Sequence, residues 1–231
     1  MVEGPLAIRH LLASPFPVRS LLVTDRGWQD LAPDLAGVDA PAYLVTQPQM
    51  ERICGFDFHR GALASADRLP PADPLAVAAQ ADVLLVVEGV NDYENLGALF
   101  RNAAAFGAGA VVLDPTTCDP LYRRVIRVSV GHALRVPFAR VEPVNWPSTL
   151  GRLREKAGYE VIALTPSAEA EDVRGVAPGG RRALLVGAEG HGLSPAALAA
   201  ADRRARIAMA PGVDSLNVAT AAAVALHHLV R

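Results

Sequence analysis

Three short stretches of the chain carry side chains whose type and spacing could do chemistry. In VEGVNDYENLGALFRNAAAFG, Asn95 and Arg101 fall on one expected helix, Asn95–Phe106, with Asn91 or Asp92 to cap a turn ahead of it. An arginine is permanently charged, so Arg101 suits holding a phosphate or stabilising negative charge that develops on oxygen; the alternative is an ordinary surface arginine. In VGAEGHGLS, Glu189 sits among Gly187, Gly190 and Gly192. That order is G-x-x-G-x-G, not the dinucleotide fingerprint G-x-G-x-x-G, and the acidic residue that should follow about twenty positions on is missing. A carboxylate inside the turn would repel a pyrophosphate, so the turn suits a ligand that is neutral or cationic at that point. A tight strand–helix turn with a solvated glutamate is the plainer alternative. In IAMAPGVDSLNVATAAAV, Pro211 and Gly212 make a turn, Ser215 is placed to cap the last helix, and Asn217 falls in its first turn. Capping accounts for Ser215 but does not require Asn217 as well.

An open α/β sheet would gather such loops, because its ligands bind outside the carboxyl ends of the strands. Asp82–Glu88 (DVLLVVE) is a continuous apolar run, as expected of a strand buried on both faces of a parallel sheet. Further strands are expected at Ala110–Leu113, Val136–Val141, Tyr159–Leu164, Ala183–Val186 and Ala205–Met209. Helices are expected at Leu121–Arg127, Pro147–Ala157, Pro195–Ala201 and an alanine-rich Ser215–Val230. Gly107 and Gly158 stand where a helix ends in the left-handed conformation. The prolines of LPPADP (Leu69–Pro74) read as a stiff linker. Before it, a helix at Leu6–Leu12, strand at Arg19–Thr24, helix at Trp28–Leu35, strand at Ala42–Thr46 and helix at Pro48–Cys54 make a small α/β module. The expected organisation is a domain at 1–70, a linker at 71–80 and a second domain at 81–231.

The 231 residues are 51% hydrophobic and 20% charged, which excludes a disordered chain. No apolar run approaches the roughly 18 residues of a membrane helix, and no signal peptide is evident. Cys54 and Cys118 lie far apart without CxxC spacing, which points to a reducing, cytoplasmic setting. The histidines show no metal-ligand spacing, so no metal is expected. The net charge of −2 hides an asymmetry. Residues 1–80 carry six arginines against nine carboxylates, whereas Arg123, Arg124, Arg127, Arg135 and Arg140 fall in a stretch with no acid. That stretch is either an anion-binding face or the solvated surface of an arginine-rich protein.

Taken together, NLGALFRNA, VGAEGHGLS and IAMAPGVDSLNVATA resemble, in order and spacing, the three signature motifs of the SpoU/TrmH branch of the SPOUT RNA methyltransferases. YRRVIRVSVGHALRVPF is also similar to that family, and the resemblance covers about residues 80–231. GFDFHRGALA and its surroundings look, more loosely, like the small α/β RNA-binding domain that often precedes the catalytic one. The resemblance implies a parallel-sheet SPOUT domain with a carboxyl-terminal trefoil knot. It also implies a homodimer, an RNA substrate (tRNA or rRNA), no membrane partner, and methyl transfer from S-adenosyl-L-methionine to a ribose 2′-hydroxyl, leaving S-adenosyl-L-homocysteine.

Carried over by position, Asn95, Arg101, Glu189, Ser215 and Asn217 match the family's functional residues. The cofactor pocket falls on Leu164, Thr165, Gly187, Gly190, Ile207, Met209, Ser215 and Leu216. Arg123, Arg124, Arg127 and Arg135 are the candidates for RNA phosphates. The third motif departs from the family's frequent I-P-M and N-V-S at Ala208 and Ala219. Relatives commonly carry a basic stretch ahead of the part resembling VEGPLAIRHLL, and this chain starts almost at that point. Three alternatives stand beside this reading. They are a SPOUT enzyme acting on a base nitrogen, a non-catalytic RNA-binding protein of the same fold, and a nucleotide-dependent oxidoreductase.

Overall fold

The computed structural model describes residues 1–230, and the chain divides into two units, Met1–Pro70 with Leu121–Arg135, and Pro71–Pro120 with the segment from Val136 onward. The first unit opens with β1 (Val2–Glu3), α1 (Pro5–Leu12), β2 (Val18–Val23), α2 (Asp25–Leu35), β3 (Ala42–Leu44), α3 (Gln47–Cys54) and β4 (Ala62–Ala66). Its sheet has the order β1-β4-β2-β3, antiparallel at β4 and parallel between β2 and β3. β1 and β4 were not legible as strands: one is two residues long and the other, ALASA, lacks β-branched and aromatic side chains.

The second unit begins with α4 (Pro74–Ala79), β5 (Val83–Glu88), α5 (Tyr93–Phe106) and β6 (Ala110–Leu113). The stretch expected as linker therefore contains a helix. Asp73 caps it by accepting from the Ala76 amide, Pro74 fits its first turn, and Ala78 is buried. The chain then gives α6 (Arg123–Val128) to the first unit, where Ile126 and Leu134 are buried in one core with Val2, Ile8, Leu11 and Leu21. This corrects the expectation that 81–231 is one domain, since the apolar face of 121–135 completes the amino-terminal core. With this segment included, the first unit holds ten arginines against eight carboxylates, so it is not the acidic module that residues 1–80 suggest.

The second unit continues with β7 (Phe138–Arg140), α7 (Ser148–Ala157), β8 (Glu160–Leu164), β9 (Glu171–Asp172), β10 (Arg182–Gly187), α8 (Pro195–Ala200), β11 (Arg203–Arg206) and α9 (Val218–Leu229). Its seven strands lie in the order β7-β6-β5-β10-β8-β11-β9, every pairing parallel. All six residues of β5 are buried, as the apolar run requires. Leu84, Val86, Val112, Val161 and Leu185 join the core that packs under α4, α7 and α8, while α5 and α9 pack on each other and α9 on β10.

Two boundaries at the carboxyl end differ from expectation. The last strand is Arg203–Arg206, so Ile207 and Met209 lie in the loop after it. The last helix starts at Val218 and is capped by Asn217, whose Oδ1 accepts from the Ala219 and Thr220 amides at 3.0 and 3.1 Å. Asn217 stands directly before the buried face formed by Val218, Ala222, Leu226 and Leu229, and asparagine caps as well as serine does, so Ser215 is left outside the helix.

Candidate active site

Because every strand of the larger sheet points the same way, β5, β8, β10 and β11 end at one edge. The loops that follow β8, β10 and β11, with the first turn of α9, enclose a cavity of about 490 Å³, within the range of small-ligand sites. Leu164 and Thr165 border it from the end of β8, and Gly187 and Gly190 from the turn after β10. Ile207, Met209, Ser215 and Leu216 come from the loop after β11. The structure thus brings together all eight residues expected to form the cofactor pocket. Gly192, noted in the glycine turn, lines it too, as do Pro166, Val186, Ala188, Val218 and Ala221, which were not singled out in the sequence.

The turn after β10 is tight. A β-carbon on Gly187 would stand 2.5 Å from the backbone of Gly192 and Leu193, so only glycine lets the returning chain pass there. Ala188 and Gly192 pair across the turn, and Gly190 takes a positive φ with open space around it. Glu189 projects from this turn, exposed to solvent.

Asn217 ties the three signature stretches together. Its Nδ2 donates to Asn95 Oδ1 and to Glu189 Oε1, both at 2.7 Å, while its Oδ1 caps α9. An asparagine amide has two donor hydrogens and two acceptor lone pairs, and all four are used here. Capping and bridging are therefore done by one residue, and the network fixes which way the amide faces. Asn95 is held in turn because Asp92, the cap of α5, accepts from the Glu94 and Asn95 amides at 2.8 Å. Asn102 donates to the carbonyl of Ala219 at 2.7 Å, a second tie between α5 and α9.

Arg101 lies further along α5, exposed, and its side chain shares no hydrogen bond or ion pair with any described residue. Ser215 borders the cavity but is not part of the Asn95–Asn217–Glu189 network. The arginines of the 123–140 stretch divide. Arg123 pairs with the buried carboxylate of Glu3 at 3.0 Å and lies over the Phe56 ring, with its side chain still half exposed. Arg124, Arg127 and Arg135 are exposed. Arg140 is not an anion site, because it donates to the carbonyls of Asp114, Thr117 and Cys118 at 2.6 to 2.9 Å and so holds the loop after β6. Burial pushes the Asp114 carboxyl up, but hydrogen bonds from Thr116, Thr117 and Gly89 outweigh it and hold it below the usual carboxylate range. Burial pushes the Cys118 thiol up to about 11, so it is unreactive at neutral pH. Among the described residues, no group of three or more His, Cys, Asp or Glu could hold a metal ion, and no helix is long and apolar enough to cross a membrane.

Comparison with known proteins agrees with this geometry. Residues 82–227 match the SpoU rRNA Methylase family. The whole chain is 48% identical to a protein of Mycobacterium tuberculosis described as an uncharacterized tRNA/rRNA methyltransferase, covering 80% of it. It is 36% identical, over 90% of its own length and 83% of the relative's, to the 23S rRNA (guanosine-2′-O-)-methyltransferase RlmB of Ralstonia nicotianae. Its fold is similar, with a TM-score of 0.84 at 24% identity, to the SpoU methyltransferase AviRb from Streptomyces viridochromogenes. The match covers 100% of this chain and 88% of AviRb, whose structure is a complex with the cofactor AdoMet. The family match takes in every strand and loop that builds the cavity, and on that ground the chain belongs to the SpoU rRNA Methylase family, as an S-adenosylmethionine-dependent RNA methyltransferase.

Proposed function

We propose that the chain methylates a ribose 2′-hydroxyl of rRNA or tRNA, with S-adenosylmethionine in the cavity at the sheet edge. The observation that carries this reading is the Asn95–Asn217–Glu189 network at that cavity, together with exposed Arg101 on the helix that presents Asn95. The relative named as a guanosine-2′-O-methyltransferase supports ribose over a base nitrogen, and rRNA over tRNA.

The lining suits the cofactor. Leu164, Ile207, Met209 and Leu216 offer apolar walls, and Met is adaptable packing material. The glycine turn exposes backbone groups to polar ligand edges, and Glu189 tolerates a cation nearby but would repel a pyrophosphate. When bound, S-adenosylmethionine supplies an electrophilic methyl group on a cationic sulfur. The chain's own share is alignment and charge. Fixing two reactants in line is worth about 7–11 kcal/mol of barrier. Asn217 holds Glu189 and α5 in one geometry. Arg101, always charged and with no side-chain partner among the described residues, grips a substrate phosphate and stabilises the developing alkoxide rather than taking its proton, which passes to solvent as S-adenosylhomocysteine leaves. Ser215 contributes a hydroxyl at the cavity wall.

The finer features belong to the same proposal. A knotted carboxyl-terminal segment is supported by β10 lying between β5 and β8 and by α9 packing back on β10 and α5. Pairing with a second copy is supported by exposed apolar Tyr93, Val213, Leu216 and Val224 in the second unit. RNA docking by the first unit is supported by its excess of arginine, with Arg123, Arg124, Arg127 and Arg135 as phosphate contacts. A reducing cytoplasm suits the two free cysteines.

The test is transfer of labelled methyl from S-adenosylmethionine to unmodified rRNA and tRNA, followed by alkaline hydrolysis. Label in alkali-resistant dinucleotides is the expected result, since a capped 2′-oxygen cannot attack the neighbouring phosphate. Label only in mononucleotides would overturn ribose in favour of a base. No label in either RNA, with cofactor bound, would favour the non-catalytic reading.

A further inference from the structure

We infer that Glu88 is a positioning residue for methyl transfer: its carboxylate anchors the turn that carries Glu189 and walls the cofactor cavity. The inference rests on the reading of that cavity given above. Glu88 ends β5 and is 7% exposed. A buried carboxylate is costly unless its oxygens are met by donors, and here both are. Oε1 accepts from the indole Nε1 of Trp146 at 2.8 Å and from Ser194 Oγ at 2.7 Å, and Oε2 accepts from the Ser194 amide at 2.8 Å. Ser194 directly follows the glycine turn, and its Oγ also accepts from the Ala197 amide at 3.1 Å, capping α8.

Both ends of the turn are thus referred to one residue. Gly187, where the turn begins, is the register partner of Glu88 in the β5–β10 ladder. Ser194, where it ends, is held by the Glu88 side chain. The turn between them is fixed in span by a group that does not itself line the cavity.

The chemistry of the three donors specifies a carboxylate. An indole N–H and a backbone N–H donate and cannot accept. A glutamine in place of Glu88 must turn its NH₂ toward one of them in either orientation. Glu88→Gln therefore removes a hydrogen bond and opposes two donors while leaving size and shape unchanged.

The experiment measures S-adenosylhomocysteine affinity by calorimetry, well below the melting temperature, in wild type, E88Q and W146F. An unmet buried donor at the turn is expected to weaken binding roughly tenfold in E88Q, and the loss of the indole donor alone about threefold in W146F. A group that matters only for folding would lower the melting temperature and leave the dissociation constant of the folded protein unchanged, and that result in both variants would overturn the inference. Should E88Q not fold, W146F decides alone. Failure of wild type to bind S-adenosylhomocysteine would instead bring down the reading of the cavity, and Glu88's role with it.

Discussion

At the carboxyl edge of the seven-stranded sheet, Asn95, Glu189 and Asn217 come from distant segments and are joined by hydrogen bonds of 2.7 Å. In the amino-terminal unit, by contrast, Arg26, Arg60 and Arg127 stand exposed around a polar cavity of about 370 Å³, and their side chains share no hydrogen bond or ion pair with any described residue. The first arrangement spends conformational freedom during folding, so these three side chains need no ordering when a ligand arrives. The second leaves long charged side chains free to follow a phosphate backbone of varied shape. Bond-making demands fixed geometry, whereas holding a polyanion demands charge that can adapt.

Arg101 is where this contrast can be broken most sharply, because it is an unfixed arginine on the fixed side of the comparison. Arg101→Lys is expected to lower kcat about a hundredfold, since the charge stays but the planar fork is lost. The melting temperature should not move, because the Arg101 side chain is exposed and bonded to no described residue. Turnover near wild type would remove Arg101 from the reaction and leave the asparagine–glutamate network to account for it alone.

Asn217 comes next, and two substitutions separate its two duties. Asn217→Ser keeps a side-chain cap for α9 but has no amide to reach Asn95 and Glu189, so activity is expected to fall about tenfold with little loss of stability. Asn217→Ala loses the cap as well and should cost about a further 1 kcal/mol in urea unfolding. Equal activity in Asn217→Ser and wild type would mean that the network is structural only.

The same residue marks the limit of what the sequence discloses. Spacing placed Asn217 at the start of the last helix and family resemblance gave it a role, but Ser215 looked like the better cap. Sequence cannot weigh two good caps two residues apart, because the choice depends on where the buried face of α9 begins. The inner strands β5, β6, β8 and β10 were legible as apolar runs, whereas the two-residue β9 was not, and the eight cavity residues were reached through the family resemblance. The membership of 121–135 in the first unit was not legible, because half-buried helices look alike whichever core they complete. Arg140 fell in a stretch read as either an anion-binding face or a solvated surface, and proves to hold carbonyls of its own loop. Glu88 was overlooked although its signal was present: a carboxylate closing a strand that is otherwise wholly apolar needs buried donors somewhere.

On the adaptable side, smaller effects are expected from each change. Neutralising Arg127, or Arg26 with Arg60, should weaken RNA binding a few-fold per charge and flatten its salt dependence, since each phosphate contact releases about one counterion. The kcat at saturating RNA should not change. An unaltered salt slope would exclude this cavity from the RNA path and leave Arg123, Arg124 and Arg135 as the phosphate contacts of the unit.

The two units should also part company in acid. Burial first, then the charges of His132 and Arg135, hold the His10 imidazole below its usual value, and the His10 and His132 rings stand 4.7 Å apart. A lowered native value means that the unfolded chain takes up the proton at higher pH than the folded protein does. The stability His10 contributes is therefore complete above its ordinary value of 6.5 and is lost as pH falls through the native value. Asp114, in the second unit, is also held low, but its contribution persists until pH falls below the ordinary carboxylate range. Between about pH 7.5 and 5.5 the loss should thus fall on the amino-terminal unit. Trp28 lies in that unit and Trp146 in the other, so unfolding followed by each indole in the other's absence reads the two separately. His10→Asn should flatten the pH dependence of the Trp28 signal and leave that of Trp146 as it was. If both signals lose stability together and His10→Asn changes neither, the acid sensitivity belongs to the chain as a whole and the histidine pair has no part in it.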